Sequence, residues 1–161
     1  MATVQIPIPL FVPDATGNAY PLLIAGTVHR HLVPAFTGGA SAPVGDWYGH
    51  VRIPQNYAST PQIVLSIGTN NTTGVTTMGV ATAVVVPTTG QYNPASYTAE
   101  TDQDVSVLAT AYLRKDVTFS LSTTPAAGND LLVRVRHNGT ATNDTLTTDT
   151  ILFSTVFQYA T

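Results

Sequence analysis

Cysteine is absent from this 161-residue chain, lysine occurs once, at Lys115, and glutamate once, at Glu100. Without thiols there is no disulfide framework and no thiolate metal site, so a domain of this length has to rest on a packed apolar core. Charged residues make up only 9% of the sequence and the formal net charge is −3. No basic stripe exists to neutralise phosphates, which sets nucleic-acid binding aside. No apolar run reaches the length of a membrane span, and the N-terminus has neither the basic start nor the long apolar core of a signal peptide. A leader-free chain with no membrane partner is expected. The glycines never form G-x-G-x-x-G or a Walker A loop, and no serine sits in a nucleophile elbow. Neither a cofactor nor an enzyme is therefore expected. What is abundant is threonine, 27 residues, with many Asn, Ser, Gly and Pro. Such a surface is neutral and hydroxylated, and it suits a fixed place in an assembly better than free solution.

The pattern along the chain is that of strands and turns, with no helical period. Residues 20–33 read as one strand broken at Gly26. Residues 46–53 place Trp47, Gly49, Val51 and Ile53 on one face and Tyr48, His50 and Arg52 on the other. Further strands are expected over 62–69, 75–86, 97–110 (one or two short ones), 114–122, 131–137 and 151–159, with turn residues between them. About eight strands at short, regular spacing predict an all-β fold, a single antiparallel β-sandwich of the jelly-roll type. Alternation nominates a core of Val28, Trp47, Ile63, Leu65, Ile67, Val84, Val86, Val117, Phe119, Leu121, Val133, Val135, Phe153, Phe157 and Tyr159.

The first residues stand apart. Val4, Ile6, Pro7, Ile8, Pro9, Leu10, Phe11 and Val12 form an apolar segment punctuated by proline. Each proline fixes φ and lacks an N–H, so the segment is neither helix nor central strand but an extended arm or edge strand. Left in water it would be a sticky ribbon, so it needs cover. The expectation is an arm over 1–19, ahead of a sandwich over 20–161, that reaches a neighbouring chain; the alternative is an arm folded back on its own sandwich.

Candidate chemistry is sparse. His29 and His31 share one face of a strand, with His50 or His137 as further metal ligands in principle, but no His-Glu motif accompanies them and imidazoles on a wet sheet face are the simpler reading. Glu100, Asp102 and Asp104 share a strand face, and Asp144 and Asp149 sit in a loop of a kind that holds calcium; a solvated acidic patch is the simpler reading there too. No metal site is assigned. Trp47, Tyr48, Tyr92 and Tyr97 are candidates for stacking on a glycan, although Trp47 lies where a core residue is expected.

From Asn56 to Tyr159 the sequence carries the turn 57–61 (YASTP), the strand 117–121 (VTFSL), the Gly128-Asn129-Asp130 turn into 131–135 (LLVRV), and a closing aromatic strand, 152–159 (LFSTVFQY). In these it resembles small β-sandwich structural proteins of tailed bacteriophages, including jelly-roll head decoration, or cement, proteins. The resemblance implies a virion protein on the outer surface of the head, a homotrimer whose partner is the major capsid protein, with the arm clamping shell subunits. It carries no catalytic residues. The alternative is a host-recognition or glycan-binding module of a tail or head fibre.

Overall fold

The computed structural model describes residues 2–25, 30–39, 42–88 and 97–161. Among them run eleven strands and no helix: β1 (Thr3–Pro7), β2 (Leu10–Pro13), β3 (Ala19–Ala25), β4 (Arg30–Phe36), β5 (Gly45–Arg52), β6 (Ser59–Gly68), β7 (Val75–Val85), β8 (Thr101–Ser106), β9 (Lys115–Ser120), β10 (Asp130–His137) and β11 (Thr150–Ala160). They form where branched or aromatic side chains alternate with polar ones. In β9, for instance, Val117 and Phe119 are buried between exposed Asp116, Thr118 and Ser120.

Two antiparallel sheets result. One has the order β3-β4-β11-β6-β9, with β1 also paired to β11; the other has the order β2-β5-β10-β7-β8. Most successive strands change sheet, and the two inner faces enclose one core, as the sandwich expectation requires. Ile6, Phe157, Ile63 and Phe119 lie opposite one another across four strands of the first sheet. From the second sheet, Trp47, Val51, Met78, Val80, Leu131, Val133 and Val135 close the core.

The N-terminal segment departs from the expected arm. β1 pairs with β11 from Thr3 opposite Ala160 to Pro7 opposite Val156, and the Ile8 amide donates to the Thr155 carbonyl at 2.8 Å. The chain then crosses to the second sheet, where Leu10 and Pro13 lie opposite Gly49 and Trp47. A Cβ on Gly49 would sit 2.4 Å from the Pro9 carbonyl oxygen, so only glycine admits this crossing. Val4, Ile6, Pro7, Ile8, Pro9 and Leu10 thus lie in a segment paired with the chain's own two sheets, the folded-back alternative for the arm. Ile8 is buried, Val4, Ile6 and Leu10 pack on the core, and of the described side chains in the segment Val12 is the exposed large apolar one, at 58%. The Phe11 side chain lies outside the described residues. The cause is an opening in the first sheet: β4 covers only Thr150 and Ile151 of β11, and β1 fills the edge of β11 farther along. Pro9 falls between the two strands, where no ladder donor is lost.

Other differences are local. The single strand expected over 20–33 is a hairpin, β3 with β4, from Ala19 opposite Phe36 to Ala25 opposite Arg30; Gly26, Val28 and His29 fall outside the described residues. A bulge between Leu152 and Ser154 shifts β11 by one residue, so Leu152 is buried and Phe153 is only half-buried. β7 is covered on both faces. Val84 and Leu121 pack at the edge of the core, Val85 is buried on the opposite face beside Ala83, Leu132 and Tyr97, and Val86 is 42% exposed.

Candidate glycan-contact face

The outer face of the second sheet carries most of the chain's paired charges, and strand register explains how. Asp46 and Tyr48 point outward from β5, two residues apart, while Arg134 and Arg136 do the same on β10. Antiparallel pairing sets Tyr48 opposite Arg134 and Asp46 opposite Arg136, and on the far side Arg136 faces Gly79 of β7. The row continues to Asp102 of β8, whose carboxylate oxygen comes within 2.3 Å of where a Gly79 Cβ would stand. Glycine at 79 therefore makes room for that carboxylate.

The segment 97–100 brings in the rest. Its Thr98 amide donates to the Thr82 carbonyl at 2.8 Å and the Thr98 hydroxyl accepts from the Thr82 amide at 3.0 Å, which continues the line of β8 along β7. Tyr97 packs on Ala83, Val85 and Leu132, and its ring lies under the Arg134 guanidinium, 5.2 Å from the centroid. Tyr48 and Tyr97 have ring centroids 6.3 Å apart, tilted by 58°. Glu100 bridges Arg134 at 3.0 Å and Arg136 at 2.5 Å, and Arg136 grips Asp46 through two nitrogens, at 2.8 and 3.0 Å.

Burial of this network sets its titration. Burial pushes the Glu100 carboxyl above its usual value although both arginines pull it down. The hydrogen bond from Arg136 to Asp46 raises the arginine further. Burial likewise raises the Tyr48 and Tyr97 phenols, with Asp46 adding to the shift on both, so both stay protonated donors across the neutral range. The result is a pair of aromatic rings beside a network of ion-paired groups in which the Arg134 Nε is buried without a hydrogen-bond partner.

Of the four stacking candidates, Tyr48 and Tyr97 come together here. Trp47 does not join them: it points inward, is 5% exposed, and donates from Nε1 to the Ala35 carbonyl at 3.1 Å. Alternation along β5 requires this, because neighbours on a strand face opposite ways. Tyr92 lies outside the described residues. The acidic run is engaged in hydrogen bonds: Asp102 accepts from Asn138 at 3.0 Å, and Asp104 from Thr77 and Asn143 at 2.7 and 2.8 Å.

The candidate metal residues are dispersed. His50 is exposed on the outer face of β5, whereas His137 is fully buried, its Nε2 2.9 Å from Asp144, whose carboxylate also accepts the Thr77 amide. Asp149 serves elsewhere, accepting the Tyr20 hydroxyl and the Gly38 amide. Among the described residues no group of three or more His, Asp or Glu is spaced to hold a metal ion. The His29 and His31 side chains lie outside the described residues. What sequence reading missed were Asp46, Arg134 and Arg136, and the signal was available: charges two apart on a strand share a face.

The fold defines an all-β, two-sheet sandwich of jelly-roll kind. No family model matches the sequence, and a search of curated proteins finds no match. Solved structures do share the fold. A carbohydrate-binding module of family 35 from Clostridium thermocellum is similar over 100% of both chains, at 10% identity and a TM-score of 0.51. An Arthrobacter globiformis T6 isomalto-dextranase complexed with panose gives a TM-score of 0.57 at 15% identity, covering 96% of this chain and 23% of the enzyme. A Clostridium thermocellum xylanase 10B fragment, a carbohydrate-binding and a GH10 module complexed with xylohexaose, gives 0.51 at 10% identity over 98% and 28%. The chain thus spans about a quarter of each enzyme structure and the whole of the binding module. At these identities the likeness shows the fold.

Proposed function

We propose that this protein is a non-catalytic glycan-binding module whose contact surface is the outer face built around Tyr48 and Tyr97. The observation that carries it is the pairing of those two rings beside Arg134. Pyranose rings present C–H faces to aromatic rings and hydroxyls to fixed donors and acceptors, and the face supplies both. Asp46 and Glu100 have their oxygens engaged by Arg136 and Arg134, which makes them scaffolding for the rings rather than an acid and base pair. The fold shared with a free-standing carbohydrate-binding module supports the reading.

The test is a glycan array followed by calorimetry on the best oligosaccharide. Wild type binds, and Tyr48→Ala or Tyr97→Ala weakens binding by about tenfold or more, equivalent to about 1.4 kcal/mol. An array with no hits, or tyrosine variants that bind as wild type, would overturn the proposal.

Decoration of a phage head, as a homotrimer on the outer surface held to the major capsid protein, is the second reading. It is favoured by Leu23 and Leu32, which lie opposite one another on β3 and β4 and are 53% and 70% exposed, an apolar pair open to a partner. Since the N-terminal segment is paired with its own sheets, such contact would run through Leu23 and Leu32. Light scattering that gives a monomer, and no co-sedimentation with capsids lacking the protein, would dismiss it.

A further inference from the structure

A groove of about 380 Å³ opens on the first sheet, on different elements from the Tyr48 and Tyr97 face. Leu22 and Ile24 of β3 and Ile151 of β11 give it an apolar lining, to which Asn70, Tyr112 and Asp149 add polar groups. Tyr112 is held there against its own preference. Its φ is +60°, the left-handed region that side chains disfavour, and among the described residues only Thr60 shares this with it outside glycine. The turn is fixed by the Tyr112 amide, which donates to the Thr69 carbonyl at 2.6 Å, and by Gly68, where a Cβ would lie 2.9 Å from the Leu113 carbonyl oxygen. The outcome is a tyrosine 50% exposed on a braced turn at the groove.

Asp149, which also lines the groove, is oriented by the Tyr20 hydroxyl and the Gly38 amide. Burial and Asp149 together keep Tyr20 protonated well above its usual range, so the phenol remains the donor and Asp149 the acceptor. An oriented carboxylate and an amide side chain are the groups that hold adjacent hydroxyls, and an exposed aromatic ring is the group that covers a sugar's apolar face. The carboxylate repels acidic sugars. The volume lies at the small end of ligand sites, room for one or two sugar rings.

We infer that this groove is a second, independent site for the end of a neutral glycan, with Tyr112 stacking on a terminal pyranose and Asp149 and Asn70 holding its hydroxyls. The inference rests on the glycan-binding reading and adds to it, because two sites on one domain raise avidity for a branched or clustered ligand.

The experiment uses the full chain with methyl glycosides of glucose, galactose, mannose and xylose as probes, followed by saturation-transfer NMR, beside calorimetry on the best array oligosaccharide. Wild type gives a response with at least one monosaccharide probe. Tyr112→Ala reduces it by about tenfold, Asn70→Ala reduces it less, and Tyr112→Phe retains it. Amide spectra check the fold of each variant. Tyr112→Ala leaves the Tyr48-dependent oligosaccharide affinity in place, and the Tyr48→Ala, Tyr97→Ala double variant keeps the monosaccharide response. A wild-type protein that binds oligosaccharide but no probe, or a probe response unchanged in Tyr112→Ala, overturns the groove alone. Loss of all sugar binding in wild type overturns the glycan reading with it.

Discussion

Ile8→Ala is the sharpest test of how the N-terminal segment is held. Ile8 is 4% exposed at the point where the segment leaves β11 for the second sheet, and its Cγ2 stands 3.2 Å from the place a Gly49 Cβ would occupy. Truncating a buried isoleucine costs about 2–5 kcal/mol, from lost transfer energy and the cavity left behind. The site lies at a seam that can partly close, so about 3 kcal/mol is expected. With a urea dependence of about 2–3 kcal/mol per M for a domain of this size, the midpoint falls by about 1–1.5 M. Trp47 is the only tryptophan and is buried, which makes its fluorescence the natural probe. Leu23→Ala, at a side chain 53% exposed, is the control and should shift stability by about 0.5 kcal/mol or less. Both midpoints should be the same at protein concentrations tenfold apart, because the contact lies within one chain. A midpoint that rises with concentration means that the segment is lent to another copy. An Ile8→Ala loss no larger than that of Leu23→Ala would refute the packing argument.

Trp47→Phe removes the donor to the Ala35 carbonyl and leaves that oxygen buried, costing about 1–3 kcal/mol by thermal unfolding followed with circular dichroism, while glycan affinity is unchanged. Gly49→Ala drives a methyl into the Pro9 carbonyl and should cost about 1–3 kcal/mol; combined with Ile8→Ala it will cost less than the sum, since the first change already loosens the crossing. Hydrogen bonds from Thr77 and Asn143 hold Asp104 below the usual carboxylate value, so its contribution is present above that value and lost as the pH falls through the lowered one. Urea midpoints between about pH 5 and pH 2 should therefore fall less steeply in Asp104→Asn than in wild type.

Strands whose pattern is complete in themselves were legible from sequence. β9 alternates without interruption, β6 and β10 carry dense branched runs, and their inward residues Ile63, Leu65, Val117, Phe119, Val133 and Val135 are all buried. Features fixed by distant partners were not. Nothing near residue 6 says that Phe157 will cover it, because that pairing spans the whole chain. The β11 bulge puts Leu152 where alternation puts Phe153, and Ala83 and Val85 of β7 are buried on its outer face beneath Tyr97. On the candidate face, Tyr48 and Tyr97 were visible as aromatic residues, but their convergence depends on the order in which β5, β10 and β7 pair. Tyr112 carried no local signal, since its backbone conformation is imposed by contacts with Gly68 and Thr69.

The pairing of β1 with β11 also decides how the protein answers force. The Thr161 amide donates to the Ala2 carbonyl at 3.1 Å, so the two strands meet at their outer ends. A pull on residues 2 and 161 loads the ladder crosswise and opens it one rung at a time, from Ala2 and Thr161 towards Ile8 and Thr155, in the manner of a zipper rather than a sheared seam. Tension between residues 2 and 161 thus acts first on β1, and stripping it uncovers Ile6 and Ile8.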